Sequence, residues 1–189
     1  MLSNARFSLV CLAAFAGMTG LAAATGLSSA AFHSDRAPPP KAFDRDGERF
    51  QWSVAHGVVG SVGLSRQTAV WEDGAAWTPE VLITCSGLRS GGLQERTFVP
   101  VDGQAPLALT AGDKTFHVRN GVRELGQHRF VEGHGDLPSD WFDALSKAPT
   151  ITVTYAGASR SFPGPGPDLA KHFERYCRDL ARRSSRDET

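Results

Sequence analysis

The sequence carries no excess of charge of either sign: 20 lysines and arginines face 20 aspartates and glutamates across 189 residues. It therefore lacks the basic stripe that a nucleic-acid-binding protein needs to neutralise phosphates. It also lacks the composition of a disordered chain, since 41% of its residues are hydrophobic. Long apolar runs are missing except for one near the N-terminus, which excludes a multi-span membrane protein. Cysteine is scarce, with three in the chain. One ordinary globular domain is the expectation for this length.

The N-terminal run has the form of a targeting segment. A polar start with one cation, Arg6, leads into an apolar stretch from Phe7 to Leu21 that ends at Ala22-Ala23-Ala24. A basic start, an apolar middle and a small-residue end make a cleavable secretory signal over residues 1–24, with a second cleavage option after Ala31. The rival is an uncleaved membrane anchor, for which the stretch is short and weakly apolar. Cys11 lies at the start of the run rather than its end, so it does not mark a lipoprotein. Removing residues 1–24 leaves 19 basic and 20 acidic residues, still without a basic excess. It also leaves two cysteines, Cys85 and Cys177, in a chain bound for an oxidising compartment, where an even pair is most economically one disulfide.

Residues 25–42 hold Pro38-Pro39-Pro40 and little to bury, and read as a flexible arm. From about residue 43 to residue 189 the chain reads as a single domain. Short β-branched or aromatic segments recur between Gly, Pro, Asn and Asp, the pattern of an antiparallel β fold. The expected strands are Phe50–Val54, Val58–Leu64, Ala69–Trp71, Glu80–Cys85, Thr97–Val101, Ala108–Thr110, Thr115–Arg119, Val122–Leu125, Arg129–Glu132, Thr150–Tyr155 and Ser159–Phe162. Asn120-Gly121, Asp102-Gly103 and Ala156-Gly157 are the expected hairpin turns, because these dipeptides accept positive φ. Ser139 is the expected N-cap of a short helix ending before Pro149. A longer helix starts at Pro167 and runs to about Arg183, with Leu169, Phe173, Tyr176, Cys177 and Leu180 on one stripe. Val81, Ile83 and Cys85 share one strand face by the period of two, so both cysteines point at one core. The fold class is thus mainly β, an antiparallel sandwich or barrel-like sheet, with a short helix and a C-terminal helix packed on it; it is α+β if the helices are counted.

Chemistry-bearing motifs are few. In the polar cluster His128 to Asp136, an extended backbone would put Glu132, His134 and Asp136 on one face, a set able to hold Zn²⁺. The competing reading makes Gly133 and Gly135 a flexible loop, and the spacing matches no established metal signature. No G-x-S-x-G elbow exists, and Cys85 has a bridge partner that removes it as a nucleophile. His56 reads as structural or solvated, and the acids Asp44, Asp46, Glu48, Glu72 and Asp73 as solvated charge. The run Pro163-Gly164-Pro165-Gly166 lacks the amide donors of a phosphate cradle. Trp71 and Trp77 bracket a polar loop and are the candidate binding residues, with core packing the competing role. No catalytic residue and no cofactor is assigned.

The closing order of hairpin, Gly-Pro turn and helix resembles that of small envelope proteins of the invasion-associated type in Gram-negative bacteria. This resemblance covers the closing fifth of the chain and assigns no functional residue. The expected function is that of a periplasmic or secreted non-enzymatic interaction module, an envelope accessory or an inhibitor or immunity-type protein binding another envelope or secreted protein, with no nucleic acid and no membrane span in the mature form. The alternatives are a small metal-dependent or hydrolytic enzyme using the His128–His134 loop, and a β-barrel binding a small ligand.

Overall fold

The computed structural model describes residues 37–56, 59–71, 74–101, 103–125 and 128–187. The signal segment, its cleavage sites at Ala24 and Ala31, and most of the arm lie outside the described residues. Ten strands form one antiparallel sheet: β1 (Lys41–Arg45), β2 (Glu48–Ala55), β3 (Gly60–Trp71), β4 (Gly74–Cys85), β5 (Ser90–Glu95), β6 (Leu107–Ala111), β7 (Lys114–Leu125), β8 (His128–Asp136), β9 (Thr150–Tyr155) and β10 (Ala158–Pro163). Their order is β1-β2-β3-β4-β5-β8-β7-β6-β9-β10. The first strand begins at Lys41, inside the range expected to be an arm.

A ten-stranded antiparallel sheet with one apolar face buries that face most fully by curling on itself, and this one is a half-barrel. Phe50 and Trp52 of β2, Leu64 of β3, Val81 and Ile83 of β4 and Leu109 of β6 all turn inward and are buried. Side chains close the seam between the sheet's ends. Trp52 Nε1 donates to the Pro163 carbonyl at 2.7 Å, Lys41 Nζ donates to the Gly164 carbonyl at 2.8 Å, and Arg45 donates to the Ser161 carbonyl. The Phe50 and Phe162 rings meet there with centroids 6.0 Å apart.

Two helices cover the face near Cys85. The first, α1 (Trp141–Lys147), follows Asp140, whose φ of 58° is left-handed and whose side chain makes no cap hydrogen bond. The expected Ser139 cap is thus not used: the chain turns one residue later, with the Trp141 amide bonded to the Pro138 carbonyl at 3.2 Å. The second, α2 (Pro167–Asp187), begins at the proline, whose missing amide costs nothing at a first helical position. Its stripe buries Leu169, Phe173 and Cys177, and Phe142 of α1 packs on Phe173 with centroids 5.6 Å apart. Cys85 and Cys177 are paired, their Cα atoms 5.8 Å apart, within the span of a disulfide. No helix among the described residues is long and apolar enough to cross a membrane.

Of the three expected turns, one forms as read. Ala156 and Gly157 have φ of 50° and 83° and join β9 to β10 as a two-residue hairpin with Tyr155 opposite Ala158. Asn120-Gly121 instead lies within a continuous β7. The Lys114–Val118 half of that strand pairs with β6 and the Arg119–Leu125 half with β8, so the dipeptide is the corner where the strand changes partners. Asn120 is used there for its side chain, which donates to the Ala105 carbonyl at 2.6 Å. Gly103 does have a positive φ of 85°, but Thr97–Val101 is not a strand; it belongs to an irregular connection from β5 to β6. Asp102 lies outside the described residues. Two further pairs of expected strands are each one long strand, β3 and β7, and β5 was not expected at all.

The corner makes a testable contrast between two glycines. Gly133 of β8 faces Asn120, and a Cβ there would run into the Arg119 carbonyl, whereas a Cβ on Gly121 meets nothing within 4 Å. Gly133→Ala should cost about 1–3 kcal/mol by overpacking, and Gly121→Ala should stay within about 0.5 kcal/mol as an exposed change. Urea unfolding of the two variants checks this; the opposite ranking would restore a turn at Asn120-Gly121.

Candidate functional site

The end of the half-barrel away from Cys85 is polar, and a bulge makes it so. Leu64 pairs with Val81 but Ser65 pairs with Pro79, so Glu80 is an extra residue on β4. Such a bulge re-aims a side chain. Glu80, though largely buried, accepts from Arg66 Nε at 2.7 Å, and Arg66 Nη1 donates to Glu48 at 3.0 Å. The hydrogen bond to Glu80, ahead of the charges of both acids, holds the Arg66 guanidinium still more firmly protonated.

On the neighbouring strand, Glu95 lies between Val81 of β4 and Val131 of β8 and is fully buried. Its Oε1 accepts from the Thr97 amide and hydroxyl, while its Oε2 has no hydrogen-bond partner among the described residues. Burial pushes its carboxyl above the usual range, against the opposing pull of the Thr97 and Phe98 hydrogen bonds and the charge of Arg160. The folded chain thus holds a proton that the unfolded chain releases at lower pH. Glu95 contributes stability below the unfolded carboxylate range, and that contribution is lost as pH rises through its own titration. Glu95→Gln should therefore flatten the acid-side pH dependence and melt no lower than the parent at neutral pH. Melting temperatures between about pH 4 and about pH 8 check this, and an unchanged pH profile would contradict it.

Two further arginines complete the rim. The Arg96 guanidinium lies over the Phe130 ring, 4.5 Å from its centroid, and Arg160 of β10 lies over Phe98 at 5.2 Å. With the Gln94 amide oxygen facing it, Arg96 also donates through Nη2 at 2.9 Å and Nε at 3.2 Å, leaving its outer edge open. The connection carrying Phe98 is anchored by the Val101 amide, which donates to the Tyr155 hydroxyl at 3.1 Å. Glu48, Phe50, Arg66, Glu80, Arg96, Thr97, Arg160 and Phe162 together line a cavity of about 290 Å³. Its lining holds three guanidiniums and two carboxylates, and Arg66 takes both carboxylates. Arg96 and Arg160 make no ion pair among the described residues. Such a mouth can grip an anion through planar donors held in place by aromatic rings.

No protein-family model matches the sequence, and no match to it was found among curated proteins. Among solved structures, invasion associated protein B from Bartonella henselae is similar over 66% of this chain and 90% of its own, at 16% identity and a TM-score of 0.37.

The residues singled out from sequence lie elsewhere. The segment from His128 to Asp136 is strand β8, not a flexible loop: Gly133 and Gly135 are needed where the β7 backbone comes close. On it, Glu132 is ion-paired with Arg123 of β7, His134 lies beside Gly92 of β5, and Asp136 sits at the strand's end. The extended backbone does put these three on one face of β8, but no group of three or more potential ligands stands together among the described residues. The His128 and Trp71 side chains lie outside the described residues, and Trp77 is half-buried opposite Gln67 of β3. His56 is not solitary. Its Nε2 is 2.8 Å from Nε2 of buried His172, and its ring stacks on Tyr176 with centroids 4.2 Å apart. Arg175 can only donate to His172 Nδ1, 3.1 Å away, so His172 Nε2 carries the proton given to His56. This ties the end of β2 to α2.

A larger cavity of about 760 Å³ beside α1 and α2 is lined by both signs of charge, including Asp143, Glu174 and Arg178. There Arg178 pairs with Glu174 and Lys147 with Asp143 in exposed i,i+4 pairs, which bind little. The mouth differs in that Glu80 and its neighbour Glu95 are buried and that Arg96 and Arg160 make no ion pair among the described residues. Arg66, Glu80, Glu95, Arg96 and Arg160 were not singled out from sequence. One signal was present: the period of two places Glu95 on the same buried face as Leu93.

Proposed function

We propose that the protein is a periplasmic or secreted non-enzymatic interaction module, an envelope accessory or an inhibitor or immunity-type protein, and that it grips an acidic feature of another protein in the arginine mouth. The observation that carries this reading is the pair Arg96 and Arg160, each laid on an aromatic ring beside an open cavity and neither ion-paired among the described residues. Guanidiniums fixed in this way lose little freedom on binding, which is how interfaces gain affinity. Val99, next in the same connection, is 85% exposed and offers an apolar contact beside the charges. A protein partner uses both features; a free ion uses only one.

The paired cysteines support this compartment, since disulfides persist in oxidising surroundings. The secretory signal read over residues 1–24 agrees with it. The small-ligand barrel has less support, because the interior of the half-barrel is filled by Trp52, Leu64, Phe116 and their neighbours. The metal-dependent alternative rested on Glu132, His134 and Asp136, which do not stand together as a ligand group among the described residues.

Affinity capture from envelope extract tests the proposal. The tagged full chain should retain a partner that the Arg96→Gln/Arg160→Gln chain retains at least about tenfold less well, the loss expected when charge-assisted contacts are removed. A partner held equally by both chains would move the interface off the mouth. Hydrolytic activity with no partner would overturn the reading.

A further inference from the structure

We infer that the acidic group seated in the mouth is a single carboxylate, held at the open edges of Arg96 and Arg160. This inference rests on the reading of the mouth as a docking site. The cavity lining sets three guanidiniums against two carboxylates and so carries one unmatched positive charge. One negative charge saturates such a site, and a phosphate dianion would place a second charge beside Glu48 and Glu80 without a cation to meet it.

Geometry points the same way. Phe130 holds the Arg96 guanidinium by its face and Gln94 holds one edge, so the outer edge is the one left to donate. Phe98 likewise holds the Arg160 guanidinium by its face. Paired parallel N–H donors on the edge of a planar fork match the two oxygens of a carboxylate. Phe50 and Phe162 supply an apolar wall for the carbon that bears it.

The test follows the arginine Nε–H signals of the full chain by NMR as four probes are added separately at equal concentrations, in the millimolar range where a single ion pair binds. The probes are acetate, inorganic phosphate, tetraalanine and tetraalanine amide. Acetate and tetraalanine should each shift the Arg96 and Arg160 signals, with phosphate shifting them less and the amide leaving them in place. Shifts from acetate without tetraalanine would keep the carboxylate but assign it to a small free acid. Larger shifts from phosphate than from acetate, equal shifts from the amide, or no shift from any probe would each overturn the inference. Arg160 is exposed, so Arg160→Gln and Arg160→Lys should fold. Both should lose most of the response, the lysine variant because it keeps the charge without the fork. A Lys variant that responds fully would overturn the fork and leave only charge. If capture succeeds while acetate and tetraalanine are both silent, the interaction module stands and the carboxylate falls.

Discussion

Replacing both Cys85 and Cys177 by alanine lowers the unfolding free energy by about 4–5 kcal/mol, the loop-closure value for a bridge across this separation. The two residues are 92 apart in sequence, so the bridge removes a long loop's worth of freedom from the unfolded chain. In the folded chain it fixes α2 to the end of β4, where Cys177 is fully buried and Tyr176 packs beside Gly60. A domain of this size has a net stability of about 5–15 kcal/mol, so the loss is a large share of it. Urea unfolding of the oxidised, reduced and double-alanine chains measures the effect, and the reduced and double-alanine chains should agree closely. Mass spectrometry after alkylation without reductant should show no label on either cysteine. Uptake of two alkyl groups, or a loss under about 1 kcal/mol, would contradict the bridge.

Trp52→Ala should cost about 3–5 kcal/mol, as expected for emptying a fully buried aromatic site. Trp52 has no exposed surface, and its indole nitrogen donates to Pro163 across the seam of the half-barrel. The substitution removes packing from the core and one of the bonds holding β10 against β2. Trp52→Phe keeps most of the packing and forfeits the hydrogen bond, so it should lose about 1–2 kcal/mol beyond its small cavity. The order alanine worse than phenylalanine worse than parent, read from urea midpoints at constant m-value, tests whether the seam is held as described. An alanine variant within about 1 kcal/mol of the parent would mean that the sheet's ends do not meet there.

What could be read from the sequence was local. The stripe of Leu169, Phe173 and Cys177 announces α2 because a helix repeats its buried face every three or four residues. Thr150–Tyr155 is a strand as expected, closed by the Ala156-Gly157 turn, because strand, turn and return strand are consecutive and decide one another. The paired cysteines follow from the same local reasoning, since each lies on the buried face of its own element.

What could not be read depended on partners distant in sequence. Asn120-Gly121 has a strong turn preference, yet the two halves of β7 are claimed by β6 on one side and β8 on the other, and that pairing outweighs the dipeptide. Strand β5 hides behind Gly91 and Gly92, poor strand formers that are needed because Leu137 and His134 lie against them. The mouth was hidden for the same reason. Arg66, Arg96 and Arg160 come from three separate segments, and only the curl of the sheet and the bulge at Glu80 bring them to one cavity.

The most direct measurement of the central claim, that the arginine mouth is the docking face, is hydrogen exchange of the full chain with and without the captured partner. Residues 96–101 and 158–162 should exchange more slowly in the complex, while residues 128–136 should keep the rates of the free protein. Protection centred on residues 128–136 or 141–147, with the mouth unchanged, would contradict it.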